Sequence, residues 1–252
     1  MSLPAQFVRN IQRFRLVTFD VTDTLLRLKD PIAQYALTAA ACGVSITDNV
    51  QLKRCFHQQF KLMSNEHSNF GLCSPNMNWQ SWWSQLVVNT FNCVDASIPN
   101  TKLQTITEQL LAIFQTSACW SHIDGALDLV QRVRDAGKCV GVISNFDPSL
   151  PQVLSAMGLA DKFDFILSSY EAGVMKPDPG IFKAAIGNRP IAPAQALHIG
   201  NKFDIDYMGA RNSGWSSLLV LTQPESAPEA ANHSFTSLAE MLQALETQKI
   251  TW

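Results

Sequence analysis

The chain has 252 residues, enough for one large domain or two modest ones around a substantial core. Hydrophobic residues make up 46% and charged residues 16%, which excludes an intrinsically disordered chain. With 19 basic residues against 21 acidic ones and no long basic run, the sequence offers no footprint for nucleic acid.

The six cysteines, Cys42, Cys55, Cys73, Cys93, Cys119 and Cys139, make no CxxC pair and no zinc spacing. In a chain of this length they read as reduced, mostly buried thiols of an intracellular protein. The expected compartment is the cytoplasm, with a mitochondrial or nuclear location as the lesser alternative. No apolar stretch reaches the roughly 18 residues of a spanning helix, so no membrane association is expected. Arg9, Arg13 and Arg15 precede any acidic residue, as in an import leader, but the first strand opens near Arg15 and leaves little to cleave.

That first strand is the apolar run Leu16-Val17-Thr18-Phe19, and it ends in Asp20. A carboxylate at the carboxyl end of a buried strand stands where an open α/β sheet puts its chemistry. Residues 30–118 then read as helical. Asp30-Pro31 supplies an N-cap and a first-turn proline, Ile32, Tyr35, Ala36, Ala39 and Ala40 form a stripe, and Gly43 ends it. A second helix opens at Thr47-Asp48 with Leu52, Cys55, Phe56 and Phe60, and a loop follows around Asn69, Gly71 and Pro75. Trp79, Trp82, Trp83, Leu86, Val87 and Phe91 mark a third helix; Leu103, Ile106, Leu110, Ile113 and Phe114 mark a fourth. The tryptophan spacing i, i+3, i+4 fits helix packing better than a ligand cage.

After Trp120 the texture changes. Strands are predicted at 138–143, 163–167, 195–199 and 216–221, with helices at 124–136, 149–157, 179–186 and 205–213 between them. A last amphipathic helix carries Phe235, Leu238, Met241, Leu242 and Leu245. Such alternation implies right-handed crossovers and a doubly wound parallel sheet of the α/β class. The expected architecture is a core of 1–29 and 119–252 with an α-helical cap, 30–118, inserted after the first strand.

Four strand ends carry candidate chemistry. Asp20 leads into Val21-Thr22-Asp23-Thr24-Leu25; Ser144-Asn145 follow the run 138–143. Lys176 lies in Val-Met-Lys-Pro-Asp-Pro-Gly-Ile-Phe, and Gly200-Asn201-Lys202-Phe203-Asp204-Ile205-Asp206 follows Ala196-Leu197-His198-Ile199. Each signal alone is weak. In this order and spacing they resemble the four motifs of the haloacid dehalogenase-like hydrolase superfamily, whose first motif is usually Asp-x-Asp-Gly-Thr-Leu. Asp-Val-x-Asp-Thr-Leu-Leu-Arg-Leu, Trp-x-x-Trp-Trp and Ile-Ser-Asn-Phe-Asp resemble, more narrowly, the subfamily of haloacid dehalogenase-like hydrolase domain-containing protein 3 and rhythmically expressed gene 2 protein.

The resemblance implies a Rossmann-like core and a phosphatase-like hydrolase acting on a small phosphorylated molecule. Asp20 would be the nucleophile that forms an aspartyl-phosphate. Ser144, Asn145 and the Thr22 turn would bind the phosphoryl group, Lys176 would neutralise it, and Thr24 would fix the turn. Mg²⁺ would be held by Asp20, the Thr22 carbonyl, Asn201 and one of Asp204 and Asp206.

Two positions depart from the family pattern. Thr22 stands where most of its phosphatases carry an acid/base aspartate, a role typically worth about 10²–10⁴ in rate. Asn201 replaces a metal-binding aspartate after the glycine. Related ion-pumping ATPases carry threonine at the first of these places and let the phosphoenzyme persist. Weak hydrolysis is therefore one expectation, and a non-catalytic protein binding a ligand or a protein partner is the other. A third, minor reading is dehalogenase chemistry, with Asn201 and Asp204 positioning water and Arg54 of the cap binding halide.

Overall fold

The computed structural model describes residues 3–221, 230 and 232–252. Helix α1 (Ala5–Ile11) precedes strands β1 (Leu16–Phe19) and β2 (Leu26–Leu28). Helices α2 (Pro31–Ala41), α3 (Asn49–Glu66), the short α4 (Ser68–Gly71), α5 (Trp79–Val94) and α6 (Asn100–Ile113) follow, then β3 (Trp120–His122). The remainder alternates: α7 (Ala126–Asp135), β4 (Cys139–Ser144), α8 (Leu150–Ala156), β5 (Phe165–Ser168), the short α9 (Ser169–Ala172), α10 (Pro179–Ile186) and β6 (Ala196–Gly200). A π-helical turn (Phe203–Tyr207) runs into α11 (Met208–Asn212), and β7 (Ser216–Val220), β8 (Ser234–Phe235) and α12 (Leu238–Thr247) complete the order.

The chain divides into two compact units. One comprises Met1–Arg27, Ser121–Asn145 and Gly158–Trp252; the other comprises Leu28–Trp120 and Phe146–Met157.

In the first unit a six-stranded sheet runs β5-β4-β1-β6-β7-β8, with every neighbouring pair parallel. The order extends outward from β1 in one direction and restarts beside it with β6, so the topological switch point lies at β1 and β6. Phe19 is level with both Val142 and Ile199, which brings the carboxyl ends of three strands together there. All residues of β1, β6 and β7 are buried, the mark of a sheet covered on both faces. Helices α10 and α11 supply Ile181, Phe182, Ala185 and Ala210 to a core with Leu16, Ile143, Ala196 and Trp215. Truncating a buried Phe182 to alanine would cost about 3–5 kcal/mol. Gly141 is fixed by packing, since a β-carbon there would lie 2.2 Å from the Phe165 ring.

The segment bearing Arg9 is part of this unit. Phe7 and Ile11 of α1 are buried, and α1 packs on α12. The Asn10 carboxamide donates to the Leu245 and Gln248 carbonyls at 2.8 and 2.7 Å and accepts from the Ile250 amide. That buried hydrogen bonding gives residues 5–11 a structural task that their charge pattern did not signal.

The second unit is helical, as the periodicity predicts. Asp30, Asp48 and Asn78 cap α2, α3 and α5, and Gly43 follows α2 at φ +72°, a left-handed geometry that suits glycine. Tyr35, Leu52, Val87, Phe91, Leu103, Ile106 and Leu110 make its core. Trp82 is buried against Met63 and Leu86, while Trp79 and Trp83 are half-buried. The Trp83 indole donates to Asp147 Oδ2 at 2.7 Å.

The cysteines differ from expectation. Cys55 of α3 and Cys93 of α5 form a disulfide with Cα atoms 5.8 Å apart, Cys73 is exposed, and of the free thiols only Cys119 is buried. Spacing rules miss this pair because its partners lie 38 residues apart and face each other only once two helices pack. Alkylation of the denatured, unreduced chain should label Cys42, Cys73, Cys119 and Cys139 alone, and prior reduction should add Cys55 and Cys93. Closing a loop of that length is worth up to about 4 kcal/mol by chain entropy, so reductant should also lower the melting temperature.

Candidate active site

Asp20 continues from β1, its amide donating to the Ile199 carbonyl of β6 at 2.9 Å. The chain then folds tightly back. The Val21 carbonyl accepts from the amides of Thr24, Leu25 and Leu26, and Asp23 takes a left-handed φ of 59°. This turn buries Thr24 and leaves Thr22 half-buried in a β-bridge with Leu26. The Thr24 hydroxyl reaches Asp20 Oδ2 at 3.3 Å and Asn201 Oδ1 at 3.4 Å.

Lys176 is 3% exposed, and each ammonium proton has a partner. Its Nζ donates to Asp20 Oδ1 at 2.7 Å, to Asp206 Oδ1 at 2.6 Å and to the Ile143 carbonyl at 2.8 Å. Three acceptors match the three donors an ammonium carries. Ser144, the last residue of β4, donates from Oγ to Asp20 Oδ1 at 3.1 Å. The Asn145 side chain holds the backbone of Lys176. Its Nδ2 donates to the Lys176 carbonyl and its Oδ1 accepts from the Lys176 amide, at 2.9 and 2.7 Å. Both ends of the carboxamide are thus committed to holding the lysine-bearing loop.

Asp206 comes from the π-helical turn. Its Oδ2 accepts from the amides of Asn201 and Lys202 at 3.1 and 2.8 Å. A β-carbon at Gly200 would sit 2.3 Å from the Asp206 carboxyl carbon, so the glycine makes room for this approach. Asp204 is exposed, and no ion pair among the described residues includes it. Arg54 is likewise exposed, on α3.

Sequence reasoning passed over His198. It lies in the middle of β6, fully buried, with Nδ1 2.9 Å from Thr18 Oγ1 and Nε2 3.2 Å from Asp206 Oδ1. The available signal was an ionisable residue inside an otherwise apolar run, a placement that requires buried partners.

Burial sets the electrostatics. It raises the Asp20 pKa, and the repulsion of Asp206 adds to this; Lys176 offsets the rise only in part. Burial would lower the Lys176 pKa, but the two carboxylates outweigh it and hold the group cationic. Burial also works against an ionised Asp206, yet the Lys176 charge and the His198 hydrogen bond hold its carboxyl well below the usual range. The cluster therefore holds one cation and, with Asp20 ionised, two anions.

A divalent metal would find hard oxygens here but few charges. Asp20 Oδ2 and Asn201 Oδ1 converge on one hydroxyl, whereas both oxygens of Asp206 are already taken. Among the described residues no three His, Cys, Asp or Glu side chains cluster as a ready metal site. One carboxylate and neutral oxygens fit Mg²⁺ that completes its shell with water and substrate phosphate, its usual habit.

Two pH dependences follow with opposite sign. A carboxyl whose folded pKa is raised contributes stability below its unfolded value and loses it as pH rises through the folded pKa. The melting temperature of Asp20→Asn, relative to the native chain, should therefore climb as pH rises above about 4, the ordinary carboxyl value. Asp206 contributes stability above its unfolded pKa and loses it as pH falls. Asp206→Asn should cost about 3–5 kcal/mol near neutral pH in urea unfolding, and less in acid.

The model of the haloacid dehalogenase-like hydrolase family matches residues 14–214. The chain is 36% identical to the rhythmically expressed gene 2 protein of Drosophila melanogaster, over 97% of this chain and 100% of that one. It is 36% identical to haloacid dehalogenase-like hydrolase domain-containing protein 3 of Homo sapiens, over 93% of this chain and 94% of that one. Among solved structures it resembles the magnesium-bound HAD-hydrolase YfnB of Bacillus subtilis, with a TM-score of 0.66 at 19% identity, covering 92% of this chain and 99% of that one. Likeness at that identity speaks for the fold, while the family match and the curated relatives speak for descent. With its parallel sheet and its four strand-end motifs, the chain belongs to the haloacid dehalogenase-like hydrolase family.

Proposed function

We propose that the chain hydrolyses a small phosphorylated metabolite through an aspartyl-phosphate on Asp20, and that it does so slowly. The observation that carries this reading is the buried Lys176 ammonium 2.7 Å from Asp20 Oδ1, with the Ser144 hydroxyl on the same oxygen. A nucleophilic carboxylate needs its charge held in place and its partner anion neutralised, and this pair of donors supplies both.

In the first step a carboxylate oxygen of Asp20 attacks phosphorus, and the bond to the leaving oxygen breaks with its electron pair. Lys176 and Ser144 orient the nucleophile and attract the equatorial oxygens. In the second step water attacks the phosphorus, the P–O bond to Asp20 breaks to regenerate its carboxylate, and the water's proton leaves with the inorganic phosphate. Thr22 has no ionisable proton for the leaving oxygen and cannot accept one from water. Aryl or acyl phosphates, whose leaving groups depart as anions, are therefore the favoured class. Asp20 and Asn201 are the residues that would hold Mg²⁺, which when bound shields the negative charge shared by carboxylate and phosphate.

The competing reading keeps the Asp20–Lys176 cluster as a binding site for a phosphorylated ligand without turnover, and the residues that favour it are Thr22 and Asn201. Dehalogenase chemistry is the minor alternative.

Turnover of an activated aryl phosphate with Mg²⁺ should fall to background in Asp20→Asn; equal rates in native chain and variant would rule out the mechanism. Thr22→Asp with Asn201→Asp should restore the proton donor and the second carboxylate together. Because the two share one site, the gain of the double variant should exceed the product of the single gains. A double variant that folds, binds Mg²⁺ and hydrolyses nothing would favour the binding reading.

A further inference from the structure

We propose that His198 is a positioning residue for this site: as the neutral Nε2–H tautomer it locks Asp206, and through Asp206 it holds the Lys176 ammonium on the Asp20 nucleophile. The kinetic part of the proposal rests on the phosphoryl-transfer reading; the tautomer and its partners do not.

The argument is one of saturated partners. Asp206 Oδ1 accepts from Lys176 Nζ at 2.6 Å and lies 3.2 Å from His198 Nε2, and Oδ2 accepts from two backbone amides. An ionised carboxylate offers about four acceptor sites, so His198 supplies the donor that completes the set. Asp206 receives the Lys176 ammonium and two backbone N–H groups, the surroundings of a carboxylate that accepts. The proton of the 3.2 Å contact therefore sits on Nε2. Nδ1 is then left as an acceptor for the Thr18 hydroxyl, 2.9 Å away on β1 and nearer to it than that hydroxyl's other acceptor, the Leu197 carbonyl at 3.4 Å.

The alternative states are unfavourable for physical reasons. An imidazolium would place a second buried cation 3.5 Å from the Lys176 ammonium. The Nδ1–H tautomer would turn a nitrogen lone pair toward Asp206 Oδ1, two acceptors facing each other across 3.2 Å. The groups around the ring are Thr18 from β1, Lys176, Asp206 from the π-helical turn, and the edge-on Phe182 ring from α10. Thr18 and Ser217 flank His198 in register on the neighbouring strands, so the ring is held by the sheet and not by a loop. A rigid imidazole built into the central sheet thus fixes the orientation of a carboxylate that comes from a turn. Displacing that carboxylate would free Lys176 to leave Asp20.

Nitrogen-15 spectra of the histidines decide the structural part on the native chain. The expected result at neutral pH is a protonated Nε2 and an unprotonated Nδ1 for His198. An Nδ1–H tautomer overturns the proposal. The second arm compares His198→Gln, which keeps a donor near the Nε2 position, with His198→Leu, which keeps only bulk. In aryl-phosphate turnover by variants verified as folded, His198→Leu should lose at least about tenfold in kcat, and His198→Gln should recover most of it. Equal losses in the two, or no loss in His198→Leu, would assign His198 to packing alone. If the native chain turns over nothing, the hydrolysis reading fails while the tautomer result still decides this one.

Discussion

A single ammonium group organises the candidate site. Lys176 Nζ lies out of water between Asp20 and Asp206, with the Ile143 carbonyl as its third acceptor. A buried cation with an unmatched proton would be costly, and removing either carboxylate would leave charge unpaired in a medium that screens poorly. The arrangement holds only if three separate strand ends arrive in register, and the parallel pairing of β1 with β4 and β6 provides this. The sheet is thus the device that makes the ion cluster affordable.

The loops around the cluster are shaped by the same demand. Asn145 pins the lysine-bearing loop through both backbone groups of Lys176, which leaves the side chain little freedom beyond its own rotamers. Gly200 clears space for a carboxylate that must approach β6 closely. The π-helical turn does the rest: the Asp206 and Tyr207 amides both donate to the Lys202 carbonyl. One extra residue in that turn is enough to send Asp206 inward and leave Asp204 at the surface. Such bulges recur where a helix must aim a functional side chain.

That extra residue marks the limit of what the sequence discloses. Apolar runs and helical stripes announce the strands and most helices because burial imposes their periodicity, and the four motif ends follow from the strands. Asp204 and Asp206 cannot be told apart by spacing, since an ordinary helix and a π-turn point different members of the pair at the core. The grip of Asn145 on the Lys176 backbone emerges only when Lys176, 31 residues away, arrives beside it. His198 and the Cys55–Cys93 pair are invisible for the same reason. Each depends on a partner fixed by tertiary packing and not by neighbours in the chain.

Charge counting ties the two unusual residues to the rest of the site. With Asp206 and Asp20 ionised and Lys176 protonated, the cluster carries one net negative charge, and burial already makes ionising Asp20 unfavourable. Aspartates at positions 22 and 201 would add two more negative charges beside it. Such a site would need a divalent cation to remain folded and ionised, as multi-carboxylate metal centres do. Threonine and asparagine remove that demand. Thr24 can then bridge Asp20 Oδ2 and the neutral Asn201 Oδ1 without setting two carboxylates against each other. The same neutrality weakens the hold on Mg²⁺ and removes the proton donor, so the features that let this cluster stand on its own are those that slow the proposed chemistry.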